Sequence, residues 1–374
     1  MITALYGTSF IGDSRSISTE PCGQAVQPGT GAMLDPTYLR ATPDEIERAM
    51  ALAAAAFPVY STLPGKTRAE FLGVIAKEME AVGEDIVVRG ELETALTEAR
   101  LRSEAMRTVS HLRMFASLLD DGSWVGARID RADPERQPLP KVDLRSMLRP
   151  LGPVAIFCAA NFPLAYSVAG GDTASALAAG CPVIVIAHDS HPGVAEIVAT
   201  AVNRAARLTD MPEGVFSMLY GGGRTVGQAV VRHAVTQAVG FTGSRAGGTA
   251  LMALAAARRQ PIPVYAEMSS VNPVIILPGA LDRGEEALAV GLYGSLTLGG
   301  GQFCTKPGLI FLPSGKGESF LATLKSLADT GSPSTMLNAA ICQSYADSTA
   351  AVAATAGVEI LARAEAGPGQ GAPA

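Results

Sequence analysis

Between Gly152 and Glu267, short charge-free runs of Val, Ile and Ala alternate with alanine-rich stretches of helical character, and this pattern constrains the fold more than any other feature of the chain. A strand apolar at every position has to be buried on both faces, which happens when helices cover both sides of a parallel sheet. The pattern predicts strands at 154–159, 183–187, 215–219, 234–241 and 263–266. Helices are expected at about 165–179 and 193–208, from Thr225 onward, and at 245–258. In a doubly wound α/β sheet of this kind, ligands bind beyond the carboxyl ends of the strands and against helix N-termini. Asn161, Gly221 to Gly223 and Gly243-Ser244 occupy such ends.

The flanking segments have a different character. Residues 43–57 read as an amphipathic helix capped by Thr42, and 66–120 continue in long helical patterns with one charged and one apolar face. Residues 122–149, with Pro134, Pro138 and Pro140 among scattered charges, read as an excursion from the core. After Glu267 a second α/β unit begins, with strands at 274–277 and 309–312 and helices at 285–298 and 318–329, and it looks unfinished. The Ala, Gly and Pro-rich end, 366–374, is expected to fray. The resulting division is 1–120 with 147–266 as one domain, 121–146 as an arm, and 267–374 as part of a second domain.

Composition narrows the function classes. With 374 residues, 48% of them hydrophobic, the chain can bury one large core or two smaller ones. A net charge of -6 without any Lys/Arg-rich run argues against nucleic acid as a partner. Five cysteines without paired spacing suggest free thiols in a reducing compartment, and residues 1–12 lack the pattern of a secretion signal, so a cytoplasmic location is expected. Residues 151–171 are uncharged, but Pro153, Asn161, Pro163 and Gly170-Gly171 interrupt them. They read as a strand, a loop and a helix start rather than a membrane span.

Several motifs fail on inspection. No Gly-x-Gly-x-x-Gly joins a strand to a helix, and Gly65-Lys66-Thr67 is no phosphate loop, because Tyr60 stands where its first glycine belongs. His188 and His191 lack further ligands for a metal, and Cys158 and Cys181 sit in apolar runs as small core residues. Cys304 differs, since it follows Gly299-Gly300-Gly301-Gln302-Phe303 and glycines let backbone come close to a ligand. Glu267 ends a buried strand and reads equally well as a paired structural carboxylate or as a base. Thiol, carboxylate and the Asn161 carboxamide are the parts needed to attack a carbonyl carbon, hold an oxyanion and hydrolyse a thioester. A cysteine hydrolase would need a histidine beside Cys304, and all four histidines precede residue 267.

In order along the chain, Asn161-Phe162-Pro163, Phe241-Thr242-Gly243-Ser244, Glu267 and Gly301-Gln302-Phe303-Cys304 resemble the motifs of the aldehyde dehydrogenase superfamily. Glu93-Thr94-Ala95-Leu96, Ala99-Arg100-Leu101, the segment from Ala169 to Pro182, and Glu267 to Pro273 are similar to its 2,5-dioxovalerate (α-ketoglutaric semialdehyde) dehydrogenase branch. The resemblance implies a parallel, doubly wound cofactor-binding sheet followed by an α/β catalytic domain, here incomplete. It implies Cys304 as nucleophile, Glu267 as base and Asn161 with the Cys304 N–H as oxyanion donors. Phe157, His188, Gly227, Phe241, Gly243, Ser244 and Met268 would line the path of NAD or NADP. The substrate would be a small aldehyde such as 2,5-dioxopentanoate, with Arg100, Arg107 and Lys306 as candidate partners for its carboxylate.

Two departures accompany the resemblance. Ile186 stands where the family usually has a ribose-binding lysine, which favours NAD over NADP. A Glu-x-Phe-Gly-Pro segment and a final subunit-pairing strand are not found. The second reading is therefore a catalytically impaired relative that retains only nucleotide binding or subunit contact; with those segments present, a homo-oligomer is expected.

Overall fold

The computed structural model describes residues 3–364 and 371–372. Strands β1 (Phe10–Ile11), β2 (Ser14–Arg15), β3 (Pro21–Val26) and β4 (Met33–Leu39) precede helices α1 (Pro43–Tyr60), α2 (Gly65–Ala81), α3 (Gly83–Thr94) and α4 (Glu98–Asp121). A hairpin, β5 (Arg128–Asp130) and β6 (Leu144–Ser146), follows. The winding is then β7 (Val154–Phe157), α5 (Gly171–Ala179), β8 (Val183–Ile186), α6 (Pro192–Leu208), β9 (Phe216–Leu219), α7 (Gln228–Arg232), β10 (Ala238–Thr242), α8 (Arg245–Ala256) and β11 (Val264–Glu267). The remaining elements are β12 (Pro273–Ile275), α9 (Pro278–Leu281), α10 (Glu285–Thr297), β13 (Leu309–Phe311), α11 (Glu318–Asp329), β14 (Ser334–Thr335), α12 (Ala339–Ala353) and β15 (Gly371–Ala372).

The main sheet has seven strands in the order β11-β10-β7-β8-β9-β1-β2, parallel from β11 through β9. Every residue of β7, β8 and β9 is buried. Side chains alternate across a strand, and β8 shows the consequence: Val183 and Val185 join the core that includes Phe71, Leu72, Leu112, Leu177 and Val198, while Ile184 and Ile186 join Met50, Phe157, Leu219 and Val239 on the other face. Each such Val or Ile contributes about 1.5–3 kcal/mol of burial. A third, smaller core of Ile276, Leu281, Ala289, Leu292 and Phe320 belongs to the segment after β11, where β12 and β13 pair in parallel.

The sheet's far edge is unforeseen by sequence. β1 pairs antiparallel with β9, and β2 with β1, and strands of two residues are too short to display a period. Three predicted elements shift. The helix expected from 165 starts at Gly171, because the Leu164 and Ala165 N–H groups are taken by the Glu104 carboxylate and Gly171 N donates to the Ala165 carbonyl in a turn. A Cβ on Gly170 would collide with that carbonyl. The strand expected from 234 begins at Ala238, since the Thr236 hydroxyl turns back to Val230 O at 2.6 Å. The helix expected from Thr225 is a π-turn, Gly222–Gly227, followed by the five residues of α7. Of the tail expected to fray, 366–370 and 373–374 lie outside the described residues, and Gly371–Ala372 pairs with Ser334–Thr335.

Thr42 caps α1 as expected, in a reciprocal box with Glu45: the Thr42 hydroxyl accepts from Glu45 N at 3.2 Å and the Glu45 carboxylate accepts from Thr42 N at 2.9 Å. The same buried carboxylate accepts from the Ser16 hydroxyl and from Ile17 and Ser18 N–H, tying the N-terminal strands to α1. Burial by itself raises the Glu45 pKa, but these donors outweigh it and hold the carboxyl below its ordinary value. With the folded value below the unfolded one, the carboxylate's stabilisation is complete above pH about 4.3 and is lost as pH falls through the folded value. Glu45→Gln is therefore expected to cost about 1.5 kcal/mol at pH 7. In urea denaturation the gap to wild type should narrow as pH drops below the ordinary glutamate range.

Candidate active site

After α10, Gly299, Gly300 and Gly301 take φ of 62°, 66° and 71° in succession. Three consecutive left-handed residues are accessible at low cost only to glycine, and they turn the chain back so that Gln302, Phe303 and Cys304 meet the first lobe. Gln302 holds the turn from within: its Oε1 accepts from Leu337 N at 3.0 Å and its Nε2 donates to Gly299 O at 3.2 Å. Asn161 Nδ2 donates to the Gln302 carbonyl at 2.6 Å across the lobes. On the other side Asn272, itself at φ 48°, donates from Nδ2 to the carbonyls of Cys304 at 2.6 Å and Lys306 at 3.0 Å. The Cys304 thiol is half-buried.

Asn161 lies in the loop after β7, and α4 braces that loop. Glu104, 1% exposed, accepts from Leu164 N and Ala165 N, both through Oε1 at 2.9 Å, and pairs with Arg100 at 2.8 Å one turn away. The Arg100 guanidinium lies over Phe162 and Phe303, 4.7 and 4.8 Å from their centroids, and the two rings stack at 5.2 Å and 21°. The residue after Asn161 and the residue before Cys304 are therefore clamped together by one cation. Arg100 was expected only as a possible substrate contact. Its bracing role, like those of Glu104, Asn272 and the Gln302 side chain, depends on long-range partners, and its sole local signal is the Arg100/Glu104 spacing of four on a helix.

Glu267 is the last residue of β11, opposite Thr242. Its carbonyl accepts from Gly243 N at 3.0 Å, while its carboxylate is exposed and, among the described residues, makes no hydrogen bond or ion pair. The backbone leads from it to Val271, whose carbonyl accepts from Gly308 N at 2.9 Å, and to Asn272. Hydrogen bonds thus join Asn161 and Asn272 directly to the cysteine turn, and Glu267 to the same turn only through the chain.

Six of the seven residues expected along a cofactor path form a connected row. The Phe157 and Phe241 rings lie 6.0 Å apart. A Cβ on Gly227 would come 2.5 Å from the Phe157 ring, one on Gly243 2.8 Å from the Phe241 ring, and one on Gly248 2.5 Å from the Met268 sulfur. Ser244 caps the 12-residue α8, its hydroxyl accepting from Gly247 N, and that helix start is exposed. Backbone bare of side chains beside an open helix N-terminus fits a pyrophosphate. His188 follows β8 and stacks on His191 at 5.5 Å. Burial and the neighbouring ring push His188 down to about 3, and burial also lowers His191. Both rings are neutral at pH 7. Among the described residues, no three His, Cys, Asp or Glu side chains are grouped to hold a metal. Ile186, 2% exposed, packs in the core with Phe157 and Val226. A cavity of about 370 Å³ opens against the glycine turn, lined by Gly300, Gly301 and Lys306 together with Tyr293, Met336 and Tyr345. Neither Asn161, Glu267 nor Cys304 lines it, so the chemistry is not placed there.

This is a doubly wound nucleotide-type sheet joined to a thiol-bearing glycine turn. The aldehyde dehydrogenase family model matches residues 17–364, and the chain belongs to that family, whose members use NAD or NADP. It is 47% identical over 364 residues to alpha-ketoglutaric semialdehyde dehydrogenase 2 of Azospirillum brasilense, covering 97% of this chain and 69% of that protein. It is 44% identical over 340 residues to the alpha-ketoglutaric semialdehyde dehydrogenase of Acinetobacter baylyi, covering 91% of this chain and 64% of that one. The chain thus spans roughly two thirds of the length of these relatives. The fold matches a NAD-dependent benzaldehyde dehydrogenase from Corynebacterium glutamicum with a TM-score of 0.82 at 19% identity, over 100% of this chain and 78% of that one. No described helix is long and apolar enough to cross a membrane.

Removing one partner of a buried ion pair strands the other charge. Arg100→Met is accordingly expected to cost about 3–5 kcal/mol. Adding Glu104→Gln should recover most of that, because the glutamine Oε1 still accepts from Leu164 N and Ala165 N. Denaturant titration of the two single variants and the double variant checks both values.

Proposed function

We propose that this chain oxidises the aldehyde of a small oxo-acid, 2,5-dioxopentanoate, to the carboxylate with NAD(P)+. The observation that carries the reading is the junction of Asn161 with the glycine turn before Cys304, in a chain 47% identical to an alpha-ketoglutaric semialdehyde dehydrogenase. The Cys304 thiolate attacks the aldehyde carbon, and the developing oxyanion takes hydrogen bonds from the Cys304 N–H and the remaining Asn161 amide hydrogen. Phe162 and Phe303 exclude water from that side of the thiol. A bound nicotinamide cofactor would supply the acceptor for the hydride that leaves the aldehyde carbon. Glu267, exposed at the end of β11 and reached by solvent, deprotonates the water that cleaves the thioester.

Phe157, Gly227, Phe241, Gly243, Ser244 and Met268 line the cofactor's path in this reading, with the α8 N-terminus toward the pyrophosphate and His188 at the margin. Residues 1–120 and 147–266 serve nucleotide binding, 267–374 supply part of the catalytic domain, and 121–146 form a subunit arm. Exposed Ile129, Leu139, Val142 and Leu144 on that arm support a homo-oligomer. The five free cysteines support a cytoplasmic setting.

Cys304→Ala is expected to abolish turnover. Asn161→Ala should lower kcat by about 10²–10³. Glu267→Gln should still acylate, giving one equivalent of reduced cofactor in a burst without steady turnover, as followed by stopped-flow absorbance. Loss of steady turnover without a burst would place the defect before hydrolysis and overturn a purely hydrolytic role for Glu267.

The buried Ile186 offers neither charge nor donor to a ribose 2′-phosphate. A preference for NAD over NADP of about tenfold or more in kcat/KM is expected, the size of one charge-assisted hydrogen bond. Steady-state comparison of the two cofactors measures it.

A further inference from the structure

Arg100, Glu104 and Arg107 occupy positions i, i+4 and i+7 of α4, on the face turned toward the Asn161 loop. Their charges do not cancel. The single buried carboxylate of Glu104 is committed to Arg100 at 2.8 Å and to two backbone N–H groups. Arg100 is largely covered, its side chain 20% exposed, with Nε and Nη2 buried against the Phe162 and Phe303 rings without a hydrogen-bond partner. Its charge is already committed to Glu104 and to the two ring faces. Arg107 is exposed and, among the described residues, pairs with no carboxylate within 4 Å. Its Nη2 donates to the Tyr166 hydroxyl at 2.8 Å, and its guanidinium lies 5.3 Å from the Tyr166 ring centroid.

That hydrogen bond has a chemical consequence. Because the Tyr166 oxygen accepts from Arg107, its own O–H is left to donate, so an N–H and an O–H stand side by side as a two-donor fork for a carboxylate. Tyr166 packs edge-on against Phe162 at 5.2 Å, and Phe162 stacks on Phe303, which precedes Cys304. Continuous aromatic contacts therefore run from the fork to the nucleophile's neighbour. Such a wall suits a short chain with an aldehyde at one end and an anion at the other.

We propose that Arg107 and the Tyr166 hydroxyl anchor the distal carboxylate of the substrate and select carboxylate-bearing aldehydes over neutral ones, with Arg100 acting only as a brace. This rests on the oxo-acid reading above. The test compares the wild-type chain with Arg107→Met, Arg107→Lys and Tyr166→Phe on 2,5-dioxopentanoate and on pentanal, an aldehyde of equal length without the carboxylate. In Arg107→Met the ratio of kcat/KM for the acid to that for pentanal is expected to fall about tenfold to a hundredfold, the worth of a charge-assisted hydrogen bond, chiefly through KM. Arg107→Lys should recover part of it, and Tyr166→Phe should fall between. A packing role alone would lower both substrates together and leave the ratio unchanged, and that result overturns the assignment.

Calorimetric titration with 2-oxoglutarate, the product, supplies a second readout independent of turnover. Binding weakened tenfold or more in Arg107→Met supports the anchor even in a chain that oxidises no aldehyde, a result that would sink the proposed activity alone. Equal binding in wild type and variant overturns the anchor. A wild type that prefers pentanal and does not bind 2-oxoglutarate overturns the anchor together with the oxo-acid reading.

Discussion

Burial of β7, β8 and β9 on both faces is the constraint on which the rest of the molecule depends. Strands without a solvent face require helices on each side, and parallel strands require a crossover between each pair. The loops at the carboxyl ends then fall along one edge of the sheet, and the candidate site residues cluster there because loops at that edge are free of the packing demands on the strands. Asn161 follows β7, His188 follows β8, Gly221 to Gly223 follow β9, and Gly243-Ser244 follow β10.

Loops and helix starts so close to a buried core leave backbone N–H groups that the ladders of sheet and helix do not satisfy. A single device answers this three times. Glu93 accepts from Gly193 N and Val194 N and pairs with Arg89; Glu104 accepts from Leu164 N and Ala165 N and pairs with Arg100; Glu196 accepts from Tyr6 N and Gly7 N and pairs with Arg15. All three carboxylates are fully or almost fully buried. An isolated buried carboxylate is costly, and the combination of an arginine with two donors offsets the desolvation while fixing the loop's position. Of the three, the Glu104 set lies beside the candidate site, so the interaction that satisfies the loop also sets where Asn161 points.

The junction of the two lobes follows from the same economy of donors. Asn161 and Asn272 spend amide hydrogens on the carbonyls of Gln302, Cys304 and Lys306, and Asn338 donates to the Ser190 hydroxyl at 2.8 Å. A glycine turn with left-handed backbone has little stability of its own and is held from both sides by carboxamides. Asn161 has a second amide hydrogen, so holding the cysteine turn leaves one donor of the same side chain uncommitted.

The α/β winding was legible in the sequence because complete burial leaves a composition that can be read directly: the charge-free runs around Val154, Val183 and Val215 alternate with alanine-rich helical stretches. Thr42 as a cap was legible because capping is local, and Asn161, Glu267 and Cys304 could be picked out because each punctuates a strand end or a glycine run. The two-residue strands at Phe10 and Ser14 carry no period, and Gly171 as the start of α5 depends on Glu104, 67 positions earlier in the chain. The sequence alone therefore determined the layered fold, the family resemblance and the residues able to do chemistry. Which arginine faces stacked rings and which a tyrosine hydroxyl, and which amides hold the cysteine turn, only the tertiary structure decided, because those properties belong to contacts between residues far apart in the chain and leave no pattern within any one segment.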